Sequence, residues 1–332
     1  MLQCAAVRGQ VPSVHPDLTE RTIMKKLTFL ILLAEILAPR STAWAHGTVG
    51  DYTFLEPIVA EDANPKNEFN IFKPQWTRTA EGHEFSIGFG LEKVIVPAPE
   101  SYANGTPGGG IVSMSIESEW VEQSPKEGQR ETGFNNLELL PKVAFLTIPE
   151  HELRLSLGAK FVIPTGSPSI EEQNHTLLGP ELLWAKGFGD LPQRGVIKYL
   201  RPFAFQGDVG YTPALGGRTW HELFADNVIE YSLPYLSNNV HDIGLPWPLR
   251  NMYPYVEFNY DQLIDGPAGQ TFPAVLLTPG IAFMNYYVEL SIATQVALNK
   301  GAVPDNHSRI IFLLDLFIDD IFPWTNWTPI GS

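Results

Sequence analysis

The stretch from Tyr286 to Asn299, YYVELSIATQVALN, constrains the fold of this chain most strongly. Its residues alternate between an apolar and a polar face, as they do in an extended strand whose successive side chains point to opposite sides. A strand tilted across a bilayer needs about 9–11 residues. The run is therefore long enough to form part of a wall with lipid on one side and water on the other.

The same alternation recurs along the chain and predicts about twelve strands. They are placed at residues 69–78, 84–96, 111–122, 137–145, 153–163, 175–186, 199–211, 227–236, 253–262, 272–283, 286–299 and 308–319. Bacterial outer-membrane barrels have an even number of antiparallel strands. We therefore predict an all-β fold, a single antiparallel up-and-down transmembrane β-barrel over residues 69–319, followed by a C-terminal tail at 320–332.

A soluble β-sandwich is the alternative fold, because its strands alternate in the same way. Four prolines, Pro141, Pro202, Pro234 and Pro279, lie within or near the predicted strands. Each removes a hydrogen-bond donor from the ladder. Tyrosine and tryptophan residues near the predicted strand ends favour the barrel, because such residues form girdles at membrane interfaces.

The beginning of the chain predicts export. Met24, Lys25 and Lys26 precede an apolar run that leads to Ala43-Trp44-Ala45, which is typical of a cleaved signal peptide at residues 24–45. We interpret residues 1–23 as a mis-annotated upstream start. Residues 46–68 lack a sustained period, so we predict an N-terminal arm outside the wall. His46 would then begin the mature chain, and it is a weak candidate for copper binding.

Composition narrows the functional classes. The single cysteine, Cys4, precedes the predicted cleavage site, which leaves no thiol for a disulfide or for catalysis in the mature chain. Residues 46–332 retain 17 Lys+Arg and 34 Asp+Glu, a net charge of −17 that argues against nucleic acid as a partner.

Charged residues on the polar faces of the strands are predicted to line the barrel lumen. They form either a permeation path whose selectivity they tune or a set of ion pairs that plugs a narrow interior. The predicted lumen-lining residues are Glu92, Glu138, Lys142, Arg154, Lys160, Asp208, Glu257, Glu289 and Asp315.

The sequence contains no strong motif for catalysis or for metal binding. No G-x-S-x-G elbow occurs, and neither His151-Glu152 nor His221-Glu222 is followed by a second histidine at metalloprotease spacing. We therefore expect no enzyme activity, no catalytic residue, no cofactor and no metal site.

Several segments together resemble bacterial outer-membrane proteins described as transporters, which are related to the meta-pathway phenol-degradation protein family. The segments are PQWTRTAEGHEFSIGFGLEK (74–93), GFNNLELLPKVAFL (133–146), LGAKFVIPTGS (157–167), KGFGDLP (186–192), EYSLPYL (230–236), VHDIGLP (240–246) and FLLDLFIDDIFP (312–323).

The resemblance implies a barrel in the outer membrane of a Gram-negative bacterium that carries small molecules, including hydrophobic and aromatic ones. Its expected partners are outer-membrane lipids, the small-molecule permeant and the barrel-assembly machinery during biogenesis. A plugged barrel with a structural or binding role is the alternative function, and a barrel hydrolase is a less favoured one.

Overall fold

The computed structural model describes residues 47–98, 110–170, 176–213, 220–265, 272–303, 306–322, 324 and 327–330. These residues belong to the unit formed by residues 40–332. Residues 1–23, the predicted signal peptide and His46 lie outside the described residues.

The described chain is built almost entirely of strands, which we number in chain order. They are β1 (Thr48–Val49), β2 (Tyr52–Thr53), β3 (Glu68–Arg78), β4 (Gly82–Pro97), β5 (Gly110–Pro125), β6 (Glu131–Phe134), β7 (Leu137–Ile148), β8 (Leu153–Ile163), β9 (Leu177–Gly187), β10 (Phe203–Thr212), β11 (His221–Tyr231), β12 (Met252–Ile264), β13 (Ala274–Met284), β14 (Val288–Ala297) and β15 (Ser308–Leu316).

Twelve of these strands form a closed antiparallel barrel. Each pairs with its neighbours in the chain, except that β7 follows β5 in the ring, and β3 closes the ring by pairing with β15. The short strand β6 extends the edge of β5 beside β7. The prediction of an all-β, twelve-stranded up-and-down barrel is confirmed, and the β-sandwich alternative is wrong. We call the end at which β3 begins and β15 ends the terminal end, and the opposite end the distal end.

Short helices lie at the terminal end. Leu233–Tyr235 follows β11, and Ile318–Ile321 follows β15. Among the described residues, no helix combines the length and apolarity needed to cross a membrane.

The alternation of each strand separates an outer apolar surface from a buried inner one. Large apolar side chains such as Trp76, Phe145, Leu157 and Ile292 are exposed on the outer surface. On β14 the burial alternates strictly from Glu289 to Val296. A belt of exposed apolar side chains of this extent is typical of a wall that faces lipid.

Prolines are accommodated at interruptions of the ladder. Pro279 lies inside β13, and the pairing between β13 and β14 is interrupted between Leu277 and Gly280. Pro141 lies inside β7 and pairs with β5, while the pairing with β8 is interrupted between Leu139 and Lys142. The missing N–H of each proline therefore costs no ladder bond toward the strand at which the pairing is interrupted, which is β14 for Pro279 and β8 for Pro141.

Pro234 has a different effect, because it lies in the first turn of the helix Leu233–Tyr235, where Ser232 is the N-cap. The strand predicted over residues 227–236 instead spans His221–Tyr231.

The N-terminal arm, predicted outside the wall, contributes no strand to the ring and occupies the lumen. Residues 47–67 are buried over most of their length inside the barrel. We call residues 47–67 the N-terminal segment. Its apolar side chains and its backbone polar groups find partners on the inner surface of the wall, which makes the lumen its most favourable location.

Candidate functional site in the barrel lumen

The N-terminal segment enters the lumen at the terminal end and turns back near the middle of the barrel. Its hairpin, β1 with β2, is fixed at the terminal end, where the Tyr52 hydroxyl donates a hydrogen bond of 2.9 Å to the carbonyl oxygen of Pro202. The tip lies at Glu61, whose backbone N–H donates to Asp208 near the middle of β10 at 3.0 Å. The segment then returns to the start of β3.

Carboxylates of the wall accept hydrogen bonds from the backbone of the segment. Glu257 on β12 accepts from the N–H groups of Ile58 at 2.6 Å and of Val59 and Ala60 at 3.1 Å. Glu289 on β14 accepts from the N–H of Glu56 at 3.0 Å. These carboxylates satisfy backbone donors that would otherwise be buried without partners.

Two lysines bind the acidic side chains of the segment and the wall together. Lys142 on β7 places its Nζ 2.6 Å from Asp62 Oδ1 and 3.3 Å from Glu92 Oε2. The Nζ of Lys66 lies 3.0 Å from Asp62 Oδ2 and 2.8 Å from Glu68 Oε2, and it also pairs with Glu56. The segment is therefore attached to β3, β4 and β7 by an ion-pair network.

The charge state of Asp62 follows from this network. Burial alone would raise the pKa of Asp62, but the ammonium groups of Lys142 and Lys66 outweigh it and lower the pKa to about 2. Burial would likewise lower the pKa of Lys66, yet Asp62, Glu56 and Glu68 raise it well above its usual value. Both groups are therefore charged at neutral pH.

Further contacts continue along β8. Arg154 donates to Asn64 Oδ1 at 3.1 Å, and the Ser156 hydroxyl donates to the carbonyl oxygen of Ala63 at 2.5 Å. Two apolar clusters complete the packing of the segment. One surrounds Leu55, Ile58 and Ala60, and the other surrounds Val49, Tyr52 and Phe54.

The structure brings eight of the nine predicted lumen residues into the neighbourhood of the N-terminal segment. Six of them make the hydrogen bonds and ion pairs described above, while Asp315 interacts electrostatically with Lys66 and Glu56, and Lys160 with Glu61. The six are Glu92, Lys142, Arg154, Asp208, Glu257 and Glu289. The ninth, Glu138, pairs with Lys160 at 3.5 Å, and both are partly open to solvent.

Sequence reasoning missed the partners that the segment supplies, namely Glu56, Asp62, Asn64 and Lys66. Their contacts join residues far apart in the chain, so no local period reveals them. One feature of the sequence did indicate burial of the segment, because it contains more large apolar side chains than an exposed arm needs. These are Val49, Tyr52, Phe54, Leu55, Ile58 and Val59.

Metal binding finds no support in the described part of the chain, where no group of three or more His, Cys, Asp or Glu side chains could hold an ion. The copper candidate His46 lies outside the described residues.

Comparisons with known proteins show which solved structures have a similar fold. No protein-family model matches the chain, and no curated protein sequence matches it significantly. Among solved structures, an outer membrane channel from Pseudomonas putida F1 is similar, with a TM-score of 0.50, 11% identity, and coverage of 79% of this chain and 99% of that chain.

Two further solved structures have lower scores. Outer membrane phospholipase A from Escherichia coli has a TM-score of 0.40 at 10% identity, covering 82% of this chain and 98% of that one. CdiB from Acinetobacter baumannii has a TM-score of 0.37 at 9% identity, covering 76% of this chain and 60% of that one. At such low identity the likeness shows the fold alone: this chain has a barrel fold that is also found in a bacterial outer-membrane channel.

Proposed function

We propose that this protein is an outer-membrane channel for small molecules, including hydrophobic and aromatic ones, and that its N-terminal segment closes the terminal half of the path. The observation that carries the proposal is the position of this segment inside a closed barrel whose fold resembles that of an outer-membrane channel. The resemblance to the meta-pathway phenol-degradation family supports small aromatic compounds as permeants.

The attachments of the segment support a movable closure. Its contacts with the wall are mainly ion pairs, hydrogen bonds to side chains and apolar packing, and it contributes no strand to the barrel. Withdrawal of the segment would leave every barrel ladder intact. Water could then hydrate the charged side chains that now hold the segment.

The remaining expectations belong to the same proposal. The chain is exported by its signal peptide to the outer membrane of a Gram-negative bacterium. There it contacts lipids and the barrel-assembly machinery and acts without catalysis or a cofactor. Hydrolysis of phospholipid by the purified barrel would contradict the non-enzymatic part.

The decisive experiment weakens the closure at one ion pair and measures ion current in planar bilayers. Lys142→Met removes the ammonium group between Asp62 and Glu92 while keeping the length of the side chain. Breaking a buried ion pair costs about 3–5 kcal/mol, so we expect the open fraction to rise by roughly a hundredfold or more.

Lys126→Met is the matched control, because Lys126 is exposed near the distal end and the described hydrogen bond of its side chain goes to the carbonyl oxygen of Ala80. It should conduct as the wild type does. If wild type and Lys142→Met both fail to conduct, the channel proposal is wrong. Block of the current by phenol-sized aromatic molecules, and not by a sugar of similar size, would identify the permeant class.

The alternative is a permanently plugged barrel with a structural or binding role. The burial of Lys66 and Lys142 among carboxylates favours it, since such pairs are expensive to separate. A sealed Lys142→Met barrel that remains folded in the outer membrane is the result expected from this alternative.

A further inference from the structure

The lumen beyond the tip of the N-terminal segment, toward the distal end, is lined by acidic side chains from five strands of the ring, which together with β8 form one continuous part of the wall. We call this space the distal chamber. Its carboxylates from the wall are Glu117 on β5, Glu138 on β7, Glu181 on β9, Asp208 on β10 and Asp226 on β11. The carboxylate of Glu61, at the tip of the segment, interacts electrostatically with Glu117, Glu181 and Asp208.

The positive charges in the chamber do not balance the negative ones. Lys160 pairs with Glu138 at 3.5 Å, and Lys73 interacts electrostatically with Glu117. Lys142 is already engaged by Asp62 and Glu92 in the network that holds the segment. Lys142 also interacts electrostatically with Glu61 and Glu181. The six carboxylates therefore face two ammonium groups of the chamber and a third that is already paired outside it.

Glu181 supplies an independent indication of a missing cation. Its side chain is 3% exposed, and neither carboxylate oxygen has a hydrogen-bond partner among the residues that the structure describes. A buried carboxylate without donors is costly unless a positive charge lies nearby. Lys160 and Lys142 interact with Glu181 electrostatically, but among the described residues neither forms an ion pair with it within 4 Å.

Glycines on the neighbouring strands hold two of these carboxylates flat against the wall. Gly158 pairs with Glu181, and a Cβ on Gly158 would lie 2.5 Å from Glu181 Oε1. Gly90 pairs with Glu117, and a Cβ there would lie 3.0 Å from Glu117 Cγ. A cavity of about 180 Å³ remains beside Lys73, Glu117 and Glu138. The chamber thus combines concentrated negative charge with free space.

We infer that the distal chamber is a cation filter: it admits small monovalent cations, inorganic ions or primary ammonium compounds, and excludes anions. Rings of Asp and Glu select cations in channels because the local potential attracts positive ions and repels negative ones. Glu117 and Glu181 are the specificity-determining residues. The inference rests on the proposed channel function and adds to it the charge of the permeant.

The test is the reversal potential of the full-length protein in planar bilayers under a KCl gradient, at about pH 8, where carboxyl groups are ordinarily ionised. We expect the wild type to prefer cations. Because lumen potentials reach several kT, Glu117→Gln with Glu181→Gln should lower the cation-to-anion permeability ratio by roughly fivefold. Replacing KCl with methylammonium chloride separates inorganic ions from primary ammonium compounds.

Glu127→Gln with Glu131→Gln is the matched control, since both residues are exposed in and beside β6 at the distal end. It should leave the ratio unchanged. The single variant Glu138→Gln removes a more exposed charge and tests the idea again if the double variant does not fold. Conductance without cation preference, or an unchanged ratio in folded variants, overturns the filter alone. Absence of any conductance, even in Lys142→Met, overturns the channel function and the filter with it.

Discussion

Lys66 is surrounded by the carboxylates of Glu56, Asp62 and Glu68, and it is only 3% exposed. An ammonium group so deeply buried is stable because three acidic side chains replace the water it has lost. The same side chain joins two parts of the N-terminal segment to each other and to the first strand of the barrel. Removing its charge should therefore loosen the segment without disturbing the wall.

We predict that Lys66→Met weakens the seating of the segment by about 3–5 kcal/mol, because it leaves three buried carboxylates without their shared cation. Limited proteolysis with a glutamyl endopeptidase should then cleave after Glu61, which lies at the tip of the segment and is not followed by proline. Lys126→Met should remain protected there, as the wild type does. Equal protection of Lys66→Met would show that the ion pairs contribute little.

Asp62 makes the seating dependent on pH. Its pKa of about 2 lies below the usual value of 3.8, so its ionised form stabilises the seated segment above about pH 4. We predict that this contribution, about 2 kcal/mol, is lost as the pH falls through 2. Pepsin is active in acid, and its cleavage near Phe54 should increase as the pH falls from about 4 to about 2.

Glu56 acts in the opposite direction. Burial raises its pKa well above the usual value despite Lys66, so its protonated form favours the seated segment and its contribution declines as the pH rises. Asp62→Asn separates the two effects, because it should abolish the acid-dependent loss of protection and leave the change caused by Glu56. A wild type equally protected at about pH 4 and about pH 2 would contradict the assignment.

At the scale of elements, the strands and the N-terminal segment differ in what determines them. The alternation of Phe85, Ile87 and Phe89 with Ser86, Gly88 and Gly90 specifies β4 locally, because a one-residue shift would turn every apolar side chain inward. For this reason the positions of most strands could be predicted to within a few residues.

The segment could not be placed in the same way. Its conformation depends on side chains such as Glu257 and Asp208, about 150–200 residues further along the chain, and no periodic pattern reports such contacts. The charged inward residues were recognisable from alternation, but their binding of the segment was not. The proposed function uses both interpretations of these charges, path and plug, each for a different half of the lumen.

The β1–β2 hairpin anchors the segment at the terminal end through Tyr52. Its ring lies 4.8 Å from that of Phe54 and 5.3 Å from that of Tyr235, and its hydroxyl bonds Pro202. We predict that Tyr52→Ala costs about 3–5 kcal/mol of hairpin stability, and Tyr52→Phe about 1 kcal/mol. Hydrogen exchange should rise at residues 47–54 and much less at 58–61, where Glu257 and Asp208 still bind the backbone. Uniform exchange across the segment would mean that it unfolds as one unit.

At the scale of the whole molecule, the outer surface of the barrel carries a belt of exposed apolar side chains that is typical of a wall facing lipid. Leu157 is 53% exposed in the middle of β8, between Val143 and Leu182 of the neighbouring strands. We predict that Leu157→Arg costs about 2–4 kcal/mol in a bilayer, because the charge lies at the depth of the hydrocarbon. Unheated gel electrophoresis of outer-membrane fractions should show less of the heat-modifiable, folded band.

Leu298→Arg is the matched control, since Leu298 is 52% exposed but follows the end of β14. Near the interface the same substitution should cost at most about 1 kcal/mol. Equal losses of the folded band in the two variants would mean that the exposed belt does not face lipid. A wild-type band whose mobility does not change on heating would argue against a closed barrel in the membrane.

The location of the N-terminal segment also sets an order of assembly. Its binding surface draws Glu92 from β4, Asp208 from β10 and Glu289 from β14, so the surface is complete only after most strands have joined the ring. We therefore expect the segment to dock only after most of the ring has assembled. Although its residues precede every barrel strand in the chain and leave the ribosome earlier than any of them, we expect them to be among the last to reach their final place.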